Sequence, residues 1–413
     1  MSQLNVGLAL IGGLVLLLSL GTGLLRSRGY LPSEQMVAVL TGVLAGPVGL
    51  DLLELTRLGD PVVVLEQVAR LTVAIAVTSI ALRLPPGYYR KHARTLAVVL
   101  GPVMVYMWLA SSAVAWVTLP VSMWVALLVG AVVTPTDPVL ANTIVVGETA
   151  TDNIPERVRY LLSSEAGIND GAAYPFVFLP IFVLHNGPDA GVVQWITRTL
   201  LWEVLGAVVL GAAIGAVSGR AERLAHSRQF AEETSVFTVA VALTFAVLGF
   251  VTLLGSDGIL AVFVAGAAYN WQADPSDEVE AQRIEEVFDR LFTLPVFVFF
   301  GMAIPWAEWA ALGWAGVSLV VGILLLRRLP AFWALRSAIE PIDRPAAALF
   351  VGWFGPIGVA AVFYATLAVR ETGSELPWVA ASLVVAGSLL AHGLTATPLT
   401  YWYGRQEEAD PSA

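Results

Sequence analysis

Cysteine is absent from the 413-residue chain, which removes thiolate nucleophiles, disulfides and thiolate-ligated metals from consideration. Histidine is scarce: His92, His185, His226 and His392 stand singly and far apart, leaving little from which to build a zinc site. Charge is scarce as well, at 13% of residues against about 25% in an average soluble domain. Within that small share acids outnumber bases by 32 to 22, and a net charge of −10 weighs against nucleic acid, whose binding rewards clustered Lys and Arg. No Gly-x-Gly-Asp, His-Glu-x-x-His or Gly-x-Ser-x-Gly string is present, so no hydrolase signature points to an enzyme. The expectation is a protein that is not an enzyme and carries no cofactor.

What the chain has in excess is apolar surface. At 57% hydrophobic it holds more than a soluble fold of this length can bury, and at about 20 apolar residues per span it accommodates about a dozen transmembrane helices. The fold class expected is an all-α polytopic membrane protein forming one transmembrane domain over 1–413. Apolar runs bounded by charge or Pro/Gly clusters lie near 5–25, 34–50, 61–82, 95–117, 121–146 and 157–184, then 199–218, then 232–254, 257–270, 291–305, 311–328, 345–369 and 378–402. About 13 transmembrane helices follow, of which 257–270 and 291–305 are short enough to be re-entrant. Six plus one plus six suggests two inverted six-helix repeats, over about 5–184 and 232–402, around a central helix at 199–218, with 403–413 a short cytoplasmic tail. The acidic segment from Asp274 to Arg290 reads as an amphipathic surface helix. Basic residues follow every second span (Arg26 and Arg28; Arg83, Arg90, Lys91 and Arg94; Arg157 and Arg159; Arg220, Arg223 and Arg228), which places the N-terminus outside and the C-terminus in the cytoplasm of a cell (inner) membrane. The first span lacks a basic n-region and a small-residue cleavage site, so it reads as a retained helix.

Polar residues inside such spans cost at least about 2.5–3.5 kcal/mol each on insertion scales and are therefore functional candidates. Thr134, Pro135, Thr136, Asp137 and Pro138 interrupt the fifth span, where two prolines without N–H groups should break the helix and free backbone polar groups. A plain proline kink with Asp137 at the surface is the competing reading. In the next span Glu165 and Asn169 share a helix face, with Asp170 rotated about 100° from Asn169 and some 20 Å along the helix, near the midplane. A solvated helix start, with the acids favouring its dipole, is the alternative there. A buried Glu165 needs a permanent cation, and Arg328 is the partner expected, while Arg327 is expected to snorkel to the cytoplasmic interface. Glu66 and Arg70 read as an i,i+4 structural pair. Gly355, Pro356 and Gly358 weaken the span 345–369 at the position that the inverted repeat pairs with the first break, giving two discontinuous crossing helices whose dipoles Asp137 would offset.

Oxygen ligands from Asp170, Asp137 and the Thr136 hydroxyl, with freed carbonyls, suit a hard monovalent cation such as Na+, and the same carboxylates bind protons. Competition of H+ with Na+ or Li+ for one site, combined with alternating access, gives exchange. A K+/H+ exchanger and a passive cation channel are alternatives, and an intramembrane aspartyl hydrolase using Asp137 and Asp170 is a remote one.

The stretches Thr134-Pro-Thr-Asp-Pro-Val-Leu140, Ser164-Glu-Ala-Gly-Ile-Asn-Asp-Gly171, Asp257-Gly-Ile-Leu-Ala261, Arg327-Arg-Leu-Pro330 and Gly352-Trp-Phe-Gly-Pro-Ile-Gly358 together resemble the monovalent cation/proton antiporter family, of the NhaP-like kind, nearest to the fungal plasma-membrane Na+/H+ antiporters. The resemblance implies the NhaA/NhaP-like antiporter fold, with a dimerisation domain, a core domain that shifts like an elevator, and a homodimer. It implies that Asp170 binds the ion and carries the proton, that Asn169 is its structural neighbour, that Thr136 and Asp137 form the unwound-helix site, and that Glu165 and Arg328 are the core ion pair. Many relatives carry Ser where this chain has Ala166, so a hydroxyl ligand is missing there and water or a carbonyl has to replace it.

Overall fold

The computed structural model describes residues 3–26, 33–145, 147–227, 236–272, 289–342 and 344–408, and among these every regular element is helical. The surface helix expected from Asp274 to Arg290 lies outside the described residues except for its last two positions.

In chain order the helices that build the molecule are α1 (Gln3–Arg26), α2 (Glu34–Ala45), α3 (Pro61–Arg83), α4 (Ala93–Thr118), α5 (Met123–Val132), α6 (Pro138–Val145), α7 (Glu156–Ala172), α8 (Tyr174–Asn186) and α9 (Pro188–Leu224). They continue as α10 (Val236–Leu253), α11 (Gly258–Asn270), α12 (Leu294–Met302), α13 (Trp306–Leu326), α14 (Leu329–Leu335), α15 (Pro345–Trp353), α16 (Val359–Thr372) and α17 (Leu376–Glu408).

Local chemistry sets many of the ends. Asp60 caps α3 by accepting from the amides of Val62 (2.9 Å) and Val63 (3.4 Å), with Pro61 in the first turn where no N–H is needed. Asp257 caps α11 in the same way, through the amides of Ile259 (3.0 Å) and Leu260 (3.2 Å). The run expected over 34–50 stops five residues early, because Gly46 and Pro47 end α2 at Ala45. The run expected over 157–184 divides at Ala173, just before Pro175, into α7 and α8.

Among the described residues seven stretches are at least 18 residues long and apolar enough to cross a membrane, and shorter apolar helices lie between them. They differ in how they are enclosed: 61% of the α3 span is buried, against 17% of α1, whose Leu8, Leu16, Leu17 and Leu20 face outward as lipid-facing side chains do. Helix α3 is therefore central, packing against α7, α10, α11, α12 and α16. Close approach elsewhere depends on small residues, since van der Waals contact between backbones is the main attraction available between helices in lipid. A Cβ at Gly211 or Gly215 of α9 would lie 2.4 or 2.1 Å from the carbonyl oxygen of Ala261 or Ala265 on α11.

Both expected breaks are present. Non-helical backbone separates α5 from α6 at 133–137 and α15 from α16 at 354–358, and the two interruptions touch.

Candidate ion-binding site

The amide of Asp137 in the first break donates to the carbonyl of Pro356 in the second at 2.8 Å, so the two unwound segments are joined by their backbones. Each break leaves a helix N-terminus with free N–H groups and a helix C-terminus with free carbonyls, which need partners in the protein or in a wet cavity. Asp137, 1% exposed, deals with both N-termini: one carboxylate oxygen accepts from the amide of Leu140 in α6 (3.2 Å), and the other from the amide of Val359 in α16. The approach to α16 requires Gly358, because a Cβ there would lie 1.9 Å from the Asp137 Oδ2. A surface position for Asp137 at a plain proline kink is thereby excluded.

Arg327 deals with both C-termini. It is buried, and its guanidinium donates to the carbonyls of Val133 (3.1 Å), Thr134 (2.8 Å) and Pro135 (3.3 Å) in the first break and to that of Gly355 in the second. The expected snorkelling of Arg327 to the interface is therefore incorrect. Carbonyls stranded by two breaks offer a forked cation more than headgroups do, and only their convergence in space reveals it.

Arg328 turns the other way, into α7. Its two terminal nitrogens donate one to each oxygen of Glu165, the second at 2.6 Å, while Nε donates to the carbonyl of Val351 (3.0 Å) and the guanidinium lies 4.2 Å from the Phe332 ring centroid. Both side chains are 3% exposed, so the pair is fully withdrawn from solvent and bidentate. Gly355 makes room for it, since a Cβ at that position would meet the Arg328 Cδ at 2.3 Å.

One turn beyond Glu165, Asn169 reaches the first break. Its amide oxygen accepts from the Thr136 N–H (3.0 Å) and its amide nitrogen donates to the Thr136 hydroxyl oxygen (2.7 Å). Thr136 is thus held in place with its hydroxyl still able to ligate. Asp170 follows, 1% exposed, and neither of its carboxylate oxygens has a hydrogen-bond partner among the described residues. Its backbone carbonyl accepts from the Tyr364 hydroxyl of α16, which ties this turn of α7 to the second half-helix. Tyr364 carried no signal in the sequence, where it lies in an ordinary apolar run.

Elsewhere the i,i+4 pairing expected for Glu66 and Arg70 does not form. Glu66 instead accepts from Arg370 of α16 at 2.9 Å.

Thus Asp137, Thr136, Asn169 and Asp170 converge on two crossed breaks, and Pro135, Pro138, Gly355, Pro356 and Gly358 all sit in or at the edge of those breaks. A model of the family described as "Sodium/hydrogen exchanger, transmembrane" matches residues 14–402. The chain belongs to the sodium/hydrogen exchanger family. A Na(+)/H(+) antiporter of Saccharomyces cerevisiae is 34% identical over 381 residues, covering 90% of this chain but 38% of that protein. Na(+)/H(+) antiporter 2 of Zygosaccharomyces rouxii is 32% identical over 91% of this chain and 47% of its own length. The chain thus spans half or less of these longer relatives. A Na(+)/H(+) antiporter of Schizosaccharomyces pombe matches more evenly, at 29% identity over 97% of this chain and 91% of its own. Among solved structures, the sodium proton antiporter MjNhaP1 of Methanocaldococcus jannaschii superposes with a TM-score of 0.72 at 16% identity, covering 97% of this chain and 99% of that one, which establishes a shared fold. This member of the family is a multi-pass membrane protein with the fold of MjNhaP1.

Proposed function

We propose that the protein is a secondary active antiporter that exchanges Na+ or Li+ for H+ across a cell membrane, with cation and proton competing for the Asp170 carboxylate. The observation that carries this reading is a buried acid whose two oxygens have no partner among the described residues, beside two crossed helix breaks. A carboxylate cannot stay ionised there without a counter-charge, so it holds either a proton or a cation. The polar neighbours Glu165, Asn169 and Asp137 are already committed to Arg328, Thr136 and two backbone amides, which leaves Asp170 as the group free to change its load. The Thr136 hydroxyl and carbonyls of the breaks complete the oxygen shell for a dehydrated cation, with water in place of the hydroxyl that Ala166 lacks. Because one load excludes the other, the site crosses the membrane carrying a cation in one direction and a proton in the other. The same reading has the N-terminus outside, the C-terminus cytoplasmic, a core that shifts against a dimerisation domain, and a homodimer, as the family resemblance implies.

Purified protein in proteoliposomes, with a pH-sensitive dye inside, tests it. Addition of Na+ or Li+ should move protons, and the apparent KM for the cation should rise as the pH falls, because protons occupy the site at low pH. Asp170→Asn should abolish the signal while leaving the protein folded. Full exchange in that variant would remove the assigned site, and cation current without proton movement would make the protein a channel.

A further inference from the structure

The second break is held by more than Asp137 and Arg327. Helix α17 carries Ser388 and His392 one turn apart, both buried. The Ser388 hydroxyl oxygen accepts from the amide of Ile357 at 2.7 Å, and lies 3.1 Å from His392 Nδ1. On the far side of the ring, Nε2 lies 3.0 Å from the carbonyl of Trp353, the last residue of α15. Nδ1 lies 2.9 Å from the Ser388 carbonyl as well, so the tautomer decides the contacts. With the hydrogen on Nε2 the ring donates to Trp353 and accepts the Ser388 hydroxyl at Nδ1, and with it on Nδ1 the ring donates to the Ser388 carbonyl; the first form is the one that ties α17 to Trp353. The Trp353 indole N–H returns to α17 at Thr395 (2.9 Å), and its ring lies 5.3 Å from the imidazole.

The peptide group between Pro356 and Ile357 is the point of contact with the site. Its carbonyl accepts the Asp137 amide of the first break, and its N–H is the group that Ser388 accepts. Its plane is therefore fixed from both sides, and with it the register between Asp137 and the start of α16 two residues on. We infer that Ser388 and His392 are positioning residues for cation binding: they bracket the second break at Trp353 and Ile357 and so hold the crossing on which Asp137 and Thr136 are aligned with Asp170. The inference deepens the antiport reading and rests on it for its transport consequence.

Ser388→Ala, His392→Ala and His392→Gln, purified in full length, test this with two readouts. The first is hydrogen exchange of the amides in 354–359, which should speed up several-fold to about tenfold in both alanine variants as the bracket opens. The second is Na+-driven proton movement, where the apparent KM for Na+ should rise about tenfold, the size of effect that outer-sphere partners commonly have on a bound ion, with kcat changed much less. His392→Gln keeps a donor toward Trp353 and an acceptor toward Ser388, and should recover part of the lost affinity. A wild-type KM in folded Ser388→Ala overturns the inference, and so does unchanged protection of 354–359. If His392→Ala does not fold, Ser388→Ala and His392→Gln decide the matter between them. A wild-type protein that exchanges no cation would defeat the antiport reading instead, and the amide protection would still decide whether the bracket exists.

Discussion

Asp170 and Glu165 lie five residues apart on one helix, are equally hidden from solvent, and play opposite parts because of what faces them. Glu165 meets a guanidinium that binds both its oxygens, so the acid is fully occupied by a partner within the protein. Asp170 meets no donor among the described residues, and in the proposed exchange its charge depends on what occupies the site. Removing Arg328 leaves Glu165 stranded, and Arg328→Ala is expected to cost about 3–5 kcal/mol of stability. The expected result is loss of folded protein in size-exclusion and thermal-unfolding measurements, and a normally stable variant would contradict the pairing. This residue-level contrast was partly legible in the sequence. A buried Glu needs a permanent cation and Arg328 stood nearby in apolar company. What could not be read was that the adjacent Arg327 is buried as well, because headgroups and stranded carbonyls compete for a guanidinium and the chain alone does not say which is in reach.

Two broken helices crossing at one point concentrate four helix ends, two positive and two negative, in a small volume. Asp137 faces the positive pair and Arg327 the negative pair, so each crossing partner is neutralised by a side chain shared with the other. Arg327→Met removes the donors to four carbonyls, each of which costs about 1–3 kcal/mol if left unpaired. Arg327→Lys keeps the charge and up to three donors, though not the planar fork. Thermal unfolding should therefore rank wild type above Arg327→Lys and Arg327→Lys above Arg327→Met, and equal midpoints for the two variants would argue against the carbonyl-capping role. The breaks themselves were legible, since Pro135 with Pro138 and Gly355 with Pro356 and Gly358 are poor formers of a helix interior. Their mutual contact was only inferred, from their matching places in a proposed repeat.

For the whole molecule the question is what moves. Helix α3 packs against α7 and α16, which carry the site, and also against α11 and α12, and near one end of that interface Glu66 of α3 is bonded to Arg370 of α16. If α16 shifts with the core during exchange while α3 stays with its surroundings, the two helices cannot keep this contact throughout the cycle. Because the chain has no cysteine, a Glu66→Cys/Arg370→Cys variant can be bridged by a cleavable bis-thiol reagent with no background labelling. Bridging should stop cation-driven proton movement and cleavage should restore it; undiminished exchange in the bridged protein would mean that the two helices travel together. The pairing itself was misread from the sequence as Glu66 with Arg70. The i,i+4 rule compares only residues one turn apart, whereas the actual partner lies on another helix.

Composition and local stereochemistry alone determined that this chain is helical, spans a membrane and breaks two of its helices around acids that lipid would otherwise exclude. Those are consequences of apolar runs, missing amide hydrogens and the penalty of charge in hydrocarbon, all of which act over a few residues. Which acid is neutralised, which cation reaches which carbonyl, and which oxygens are left without a partner were decided by tertiary structure. Desolvated charges and stranded backbone groups are satisfied by whatever lies within about 3 Å, and that neighbour comes from a distant part of the chain.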